Sequence, residues 1–221
     1  MHIITRRHFL GFTLVELLIA LVINAILFTA LMSIFIVNLT HYNSIINVNR
    51  LNQQLESSMQ LMVSDIRRAG FWMNARNDIG THQNNNPFMA AGIDLTIGAS
   101  NTCILFAYDR NNNGSLPSVG SSSDDERYGY KLSGQSIQTR PWGGSYNCTG
   151  TDWENVTDPN LVKVTALTFT LTTQSLPVMG TSSTISLRSI DITLTGQLTN
   201  DPTVTKTLTQ HVRIRNDKFN P

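Results

Sequence analysis

Glu16 is a carboxylate in an apolar place. It stands five residues into a run of 26 mostly apolar positions, Phe12 to Val37. A charge held in hydrocarbon costs at least about 2.5–3.5 kcal/mol on insertion scales, so Glu16 needs a counter-charge or a purpose. Two further groups of residues have types and spacing suited to chemistry. Cys103 and Cys148 are the only cysteines. They cannot supply four metal ligands and do not form a C-x-x-C redox pair, so in an oxidising compartment they make one disulfide. Closing a loop of that length is worth roughly 4 kcal/mol in the chain-entropy picture. The alternative is two buried free thiols. The third group is Asp109-Arg110-Asn111-Asn112-Asn113-Gly114. It matches the opening of a calcium loop, with Asp109, Asn111 and Asn113 as alternating oxygen ligands for Ca2+ and Gly114 for the sharp turn. The twelfth position is Gly120 where that loop needs a bidentate Glu, so Asp124, Asp125 or Glu126 would have to close the site. The competing reading is a loop that uses Asn and Gly only for positive φ.

Other chemistry is not in view. His2, His8, His41, His82 and His211 are scattered without ligand spacing. No G-x-S-x-G, P-loop or dinucleotide fingerprint occurs, so no enzyme is expected. A net charge of +1 with 14% charged residues lacks the basic excess of a nucleic-acid surface.

The elements that would position these residues follow from pattern. Arg6 and Arg7 precede the apolar run, and basic flanks stay in the cytoplasm, so the chain after about residue 38 is exported. The run exceeds the 7–15 apolar residues of a cleavable signal and is long enough to span a bilayer. From Asn38 to Ala69 there is neither Pro nor Gly. Val48, Leu51, Leu55, Met59, Met62 and Ile66 recur at spacings of three and four, predicting an amphipathic continuation of the same helix to Ala69, with Arg67 and Arg68 in its last turn and Gly70 as the stop. Beyond it, 71–92 reads as loop. Short strands are expected at Ile93–Ile97, Cys103–Tyr108 and Tyr128–Leu132, with polar loops at Asp109–Arg127 and Pro141–Pro159. Leu161–Thr173, Thr184–Thr195 and Thr203–Arg215 alternate as strands of an antiparallel meander, one face covered by the amphipathic half of the helix. Val162 and Val164 are out of phase with Leu167 and Phe169, and Ile185 and Leu187 with Ile190 and Ile192, so a bulge or bend is expected in each of those two strands.

Taken with its leader, G-F-T-L-V-E-L-L-I-A-L (Gly11 to Leu21) resembles the processing and methylation signature of type IV prepilins. The resemblance implies cleavage by a membrane prepilin peptidase between Gly11 and Phe12, N-methylation of Phe12, and a filament-assembly role for Glu16 through the new α-amine. Asp65-Ile66-Arg67-Arg68-Ala69-Gly70-Phe71 resembles the D-I-R-x-A-G-[FY] stretch that closes the long helix in PilW-type minor pilins. Ser33 departs from the Pro that major pilins often carry about there. The fold implied is α+β and pilin-like. A leader at 1–11 would precede a transmembrane and filament-core helix at 12–37. An amphipathic continuation at 38–70 would pack on an antiparallel, β-rich periplasmic domain at 71–221. The function implied is a minor pilin that helps initiate type IV pili at or near the tip. Its partners would be other minor and major pilins, the peptidase, the inner membrane and a large tip adhesin. Two alternatives share part of this pattern: a pseudopilin of type II secretion, and a signal-anchored exported binding module.

Overall fold

The computed structural model describes residues 11–78, 85–120 and 124–221; apart from Gly11, the expected leader lies outside these, as do His2, His8 and His82. Two compact units are present, Met1–Asn47 and Val48–Pro221. Helix α1, Leu14–Ile66, begins in the first and ends in the second.

In the first unit every described residue through Ile45 is exposed. The side chains are overwhelmingly apolar, and the helical backbone satisfies its own polar groups, which is the condition for a segment that resides in lipid. The few hydroxyls there bond back to the same helix. Thr29 donates to the carbonyl of Ile26, Ser33 to that of Thr29 and Thr40 to that of Val37, all within 2.9 Å. With no Pro in the segment, no ladder bond is lost.

In the second unit the helix is one-sided. Leu51, Leu55, Met59, Met62 and Ile66 are buried as expected, and Ser58 and Val63 join them. These side chains pack against two antiparallel sheets. The first holds β1 (Thr96–Ile97), β2 (Cys103–Ala107), β3 (Arg127–Ser133), β4 (Ser136–Thr139) and β5 (Glu154–Asn155) in sequence order. The second is the meander β6 (Val162–Pro177), β7 (Thr184–Leu198) and β8 (Thr205–Arg213), with β9 (Lys218–Asn220) added beside the start of β7. Leu51, Met62, Ile66, Phe106, Phe169, Ile190, Ile192 and Val212 share one core. The helix comes so close to β7 that a Cβ on Gly196 would lie 2.8 Å from Leu55 Cδ2. A side chain there would have to displace Leu55 from the core.

The structure differs from the sequence expectation at several points. The expected bulge in β6 is present: the register with β7 shifts between Val164 and Ala166, which puts Val162, Val164, Leu167 and Phe169 all inside. The one expected in β7 is absent. β7 keeps a single alternation from end to end, and its inward positions at the start are taken by Ser186 and Arg188 while Ile185 and Leu187 face the other way. Arg188 is tolerated inside because Asp94 meets its guanidinium at 2.6 Å. Helix α1 ends at Ile66, three residues early, so Arg67 and Arg68 fall beyond its last turn. There Arg68 N–H and Ala69 N–H each reach back only three residues, to Asp65 and Ile66, tightening the chain out of the α-helix. Within the expected loops lie short 3-10 helices at Met73–Asp78 and Pro87–Met89 and the small strand β5, while β4 occupies a stretch for which no element was expected.

Candidate functional site

The start of α1 is built by Thr13 and Glu16. Thr13 N–H and Thr13 Oγ1 donate to Glu16 Oε2 at 3.0 and 2.9 Å, and Glu16 N–H donates to Thr13 Oγ1 at 3.3 Å. This is a capping box: threonine before the helix and glutamate three residues on satisfy each other's free N–H groups. The T-x-x-E spacing at 13–16 is itself a helix-start signature in the sequence. The nitrogen of Phe12 is a peptide amide here, and the carboxylate of Glu16 faces its own helix end. Gly11 and Phe12 are exposed, with open space around the glycine.

The other end of α1 is locked into the second unit by the D-I-R-R-A-G-F stretch. Asp65 receives the hydroxyl of Tyr130 at 2.6 Å and that of Tyr108 at 3.4 Å. Burial and the neighbouring Asp65 charge both raise the pKa of these tyrosines, which keeps them protonated donors. Tyr108 and Tyr128 stack at 4.3 Å, and Arg68 lies over the Tyr108 ring. Ile66 and Ala69 enter the core. Gly70 adopts φ +74° and donates its N–H to the Ala107 carbonyl at 2.8 Å. The exposed carbonyls of the helix end are then capped from far away in sequence. Arg215 N–H donates to Arg67 O, and Asn216 Nδ2 donates to both Arg68 O and Ala69 O. Phe71 packs against the core, so each position of the heptapeptide except Arg67, which contributes only its backbone carbonyl, has a side-chain or conformational reason to be what it is.

Cys103 and Cys148 form a disulfide. It ties β2 to the 141–153 loop, where Trp153 packs beside it and Lys131 lies over the Trp153 ring while donating to Gly150 O.

In the Asp109 loop the oxygens face backbone N–H groups. Asp109 Oδ1 accepts from Asn113, and Oδ2 accepts from Met73 and Gly114. Asn111 and Asn113 each cap the N–H two residues ahead. Asn112 and Gly114 take positive φ. The arrangement is that of a loop scaffolded by its own polar side chains, and among the described residues no three His, Cys, Asp or Glu converge as a metal group. Glu126 braces the loop from below, accepting from Arg110 and Asn111 N–H at 2.6 and 3.0 Å. Its other oxygen is buried and has no hydrogen-bond partner among the described residues, and burial raises the pKa of the carboxyl. Beside it Asp125 and Arg140 form a fully buried ion pair at 2.6 Å. Asp125 also accepts from Arg127 and Gly143 N–H, and Arg140 donates to the carbonyls of Arg127, Gly144 and Ser145. Nothing in the spacing of Asp125 and Arg140 marked them as partners.

Comparison with known proteins agrees with this geometry. The description of the prokaryotic N-terminal methylation motif matches residues 6–32. That of prepilin peptidase-dependent protein B matches residues 45–214, most of the chain. The chain belongs to the prepilin peptidase-dependent protein B family. Family members are type IV prepilin-like, and the α+β arrangement of one long apolar N-terminal helix with antiparallel sheets is pilin-like. An uncharacterized protein of Haemophilus influenzae is 29% identical in an alignment that covers 54% of this chain and 65% of that relative's length. The match thus spans just under two-thirds of the relative. No solved structure matches. The apolar helix and the methylation motif together fit membrane anchoring with the second unit on the extracellular or periplasmic side.

Proposed function

We propose that this prepilin peptidase-dependent protein is a minor pilin that helps initiate and assemble type IV pili, at or near the tip. On this reading residues 1–11 are a leader removed after Gly11, Phe12 becomes the N-methylated terminus, and 12–37 serves first as membrane anchor and then as filament core. Residues 38–70 continue that helix, and 71–221 are the periplasmic part that later stands outside the cell. The observation that carries the reading is the pairing of a methylation motif with an apolar first part of the helix whose described residues, through Ile45, are all exposed in the single chain. Such a surface is stable only in lipid or against like helices. Cleavage converts the amide of Phe12 into a cation four residues from Glu16. The carboxylate then has a counter-charge on its own or a neighbouring chain, and a buried acid so paired sets register in a bundle. The prepilin peptidase, major and minor pilins and a tip adhesin are the partners this role requires.

Mass spectrometry of the mature terminus tests the first step, with N-methyl-Phe at residue 12 expected and an intact Met1 counting for a signal-anchored module. Glu16→Ala should be processed normally yet be depleted in sheared pili; equal recovery of the variant would remove the registry role. Recovery with type II secretion filaments instead of pili would move the reading to the pseudopilins.

A further inference from the structure

The meander has two open edges, and they are treated differently. β8 carries Lys206, His211 and Arg213, the kind of charge that guards an edge against stray pairing. β6 is covered along its first half by the other sheet: Val164 N–H donates to Gln135 O and Phe169 N–H to Asn101 O. From Thr170 to Pro177 that cover stops. The stretch reads T-L-T-T-Q-S-L-P, without a charge, and every residue in it is exposed. Its pairing with β7 is continuous through Pro177. N–H groups alternate between the two sides of a strand. Since Phe169 points outward, so do Leu171, Thr173 and Ser175. Among the described residues none of these three N–H groups has a partner. Pro177, which has no N–H, closes the row.

A row of outward donors and acceptors specifies its complement, which is another extended backbone. The absence of charge along the row asks for an uncharged one. Its length argues against a free-standing dimer. Three outward residues make an interface well below the about 1,200 Å² of the smaller stable complexes. A strand held nearby by a shared membrane or filament needs far less, because tethering raises its effective concentration. We propose that Thr170–Pro177 seats one uncharged extended strand of a neighbouring pilin-like subunit, hydrogen-bonded at Leu171, Thr173 and Ser175. This rests on the reading that the chain assembles with such subunits.

The test uses the full chain in cells that build the filament, with the photo-reactive residue p-benzoylphenylalanine at Thr172. The expected product joins residue 172 to a strand of a different pilin-like subunit. Thr173→Pro removes only an outward N–H and should cut that product at least tenfold while leaving the melting temperature nearly unchanged. Thr207→Pro does the same at the guarded β8 edge and should leave the yield within twofold. If Thr173→Pro does not fold, Gln174→Lys, which adds a guard charge and keeps the backbone, decides with the same tenfold loss expected. An unchanged yield in the folded edge variants, or a product only with a second copy, overturns the proposal. So does no product at all when Phe12 is N-methylated and the chain is recovered with filaments. If Phe12 is unmodified and the chain is absent from filaments, the functional reading itself fails and the inference falls with it.

Discussion

Asp125→Asn changes one atom and should cost more stability than any surface substitution in this protein. Asp125 and Arg140 have no exposed side-chain area, and the carboxylate also serves Arg127 and the N–H of Gly143. An asparagine keeps the shape but removes the charge, and whichever way its amide is turned, an NH2 faces a donor. Taking one partner from a buried ion pair costs about 3–5 kcal/mol, because the other charge is left desolvated. For a chain of this size each kcal/mol moves the melting temperature by about 2–4 °C, so a drop of roughly 6–20 °C is expected. The assay is thermal unfolding of the full chain in detergent at neutral pH, followed by near-ultraviolet circular dichroism. The internal comparison is Asp217→Asn, which breaks the Arg213–Asp217 pair, 59% and 33% exposed. Exposed pairs contribute about 0–1 kcal/mol, so that variant should melt within a few degrees of the parent. Adding Arg140→Met to Asp125→Asn should recover part of the loss, since the stranded guanidinium is then gone. Equal effects of the two Asp→Asn changes would refute the claim that burial makes this pair structural.

Three further outcomes follow from the geometry. Tyr130→Phe keeps the ring in the Phe106 stack and deletes the hydroxyl on Asp65, so a loss of about 1.5–3 kcal/mol is expected in urea unfolding, the range for hydrogen bonds to charge. Replacing Cys103 and Cys148 together by Ser should cost about 2–5 kcal/mol, and the parent under reducing conditions should converge on the variant. Glu126 has a raised pKa from burial, so the folded state binds its proton more tightly than the unfolded state. Its stability contribution is complete below the unfolded value of 4.5 and is lost as pH rises through the folded value. Glu126→Gln should therefore flatten the fall in melting temperature above pH 4.5; an unchanged pH profile would show that the carboxyl titrates normally.

Much of this molecule was legible because its signals are local and periodic. Heptad-like spacing located the buried helix face from Leu51 to Ile66, and alternation located β6, β7 and β8. The cysteines could be paired because there were only two. The illegible parts are of two kinds. Polar interiors have no sequence period: Arg188 sits inward because Asp94, 94 residues earlier, awaits it, and the phase argument misread its flank as a bulge. Caps and closures are hard to read where one residue has two roles. Glu16 is a charge in an apolar run and, with Thr13, also the mark of a helix start. Asp65 was recognised as part of a heptapeptide, but its tyrosine donors lie 43 and 65 residues away and could not be read from spacing.

The closure of helix α1 by Arg215 and Asn216 fixes the order in which the second unit can be finished. The helix is among the first parts of the chain to be synthesised, yet the carbonyls at its end wait for donors 147 and 148 residues later. Contacts of such separation form late, because the intervening chain must be ordered before they can close. A product that stops short of residue 215 therefore leaves the carbonyls of Arg67 and Ala69 without these donors, while that of Arg68 keeps only the N–H of Phe71. The end of the helix is thus completed by the far end of the second unit, so the start and finish of that unit close in one step.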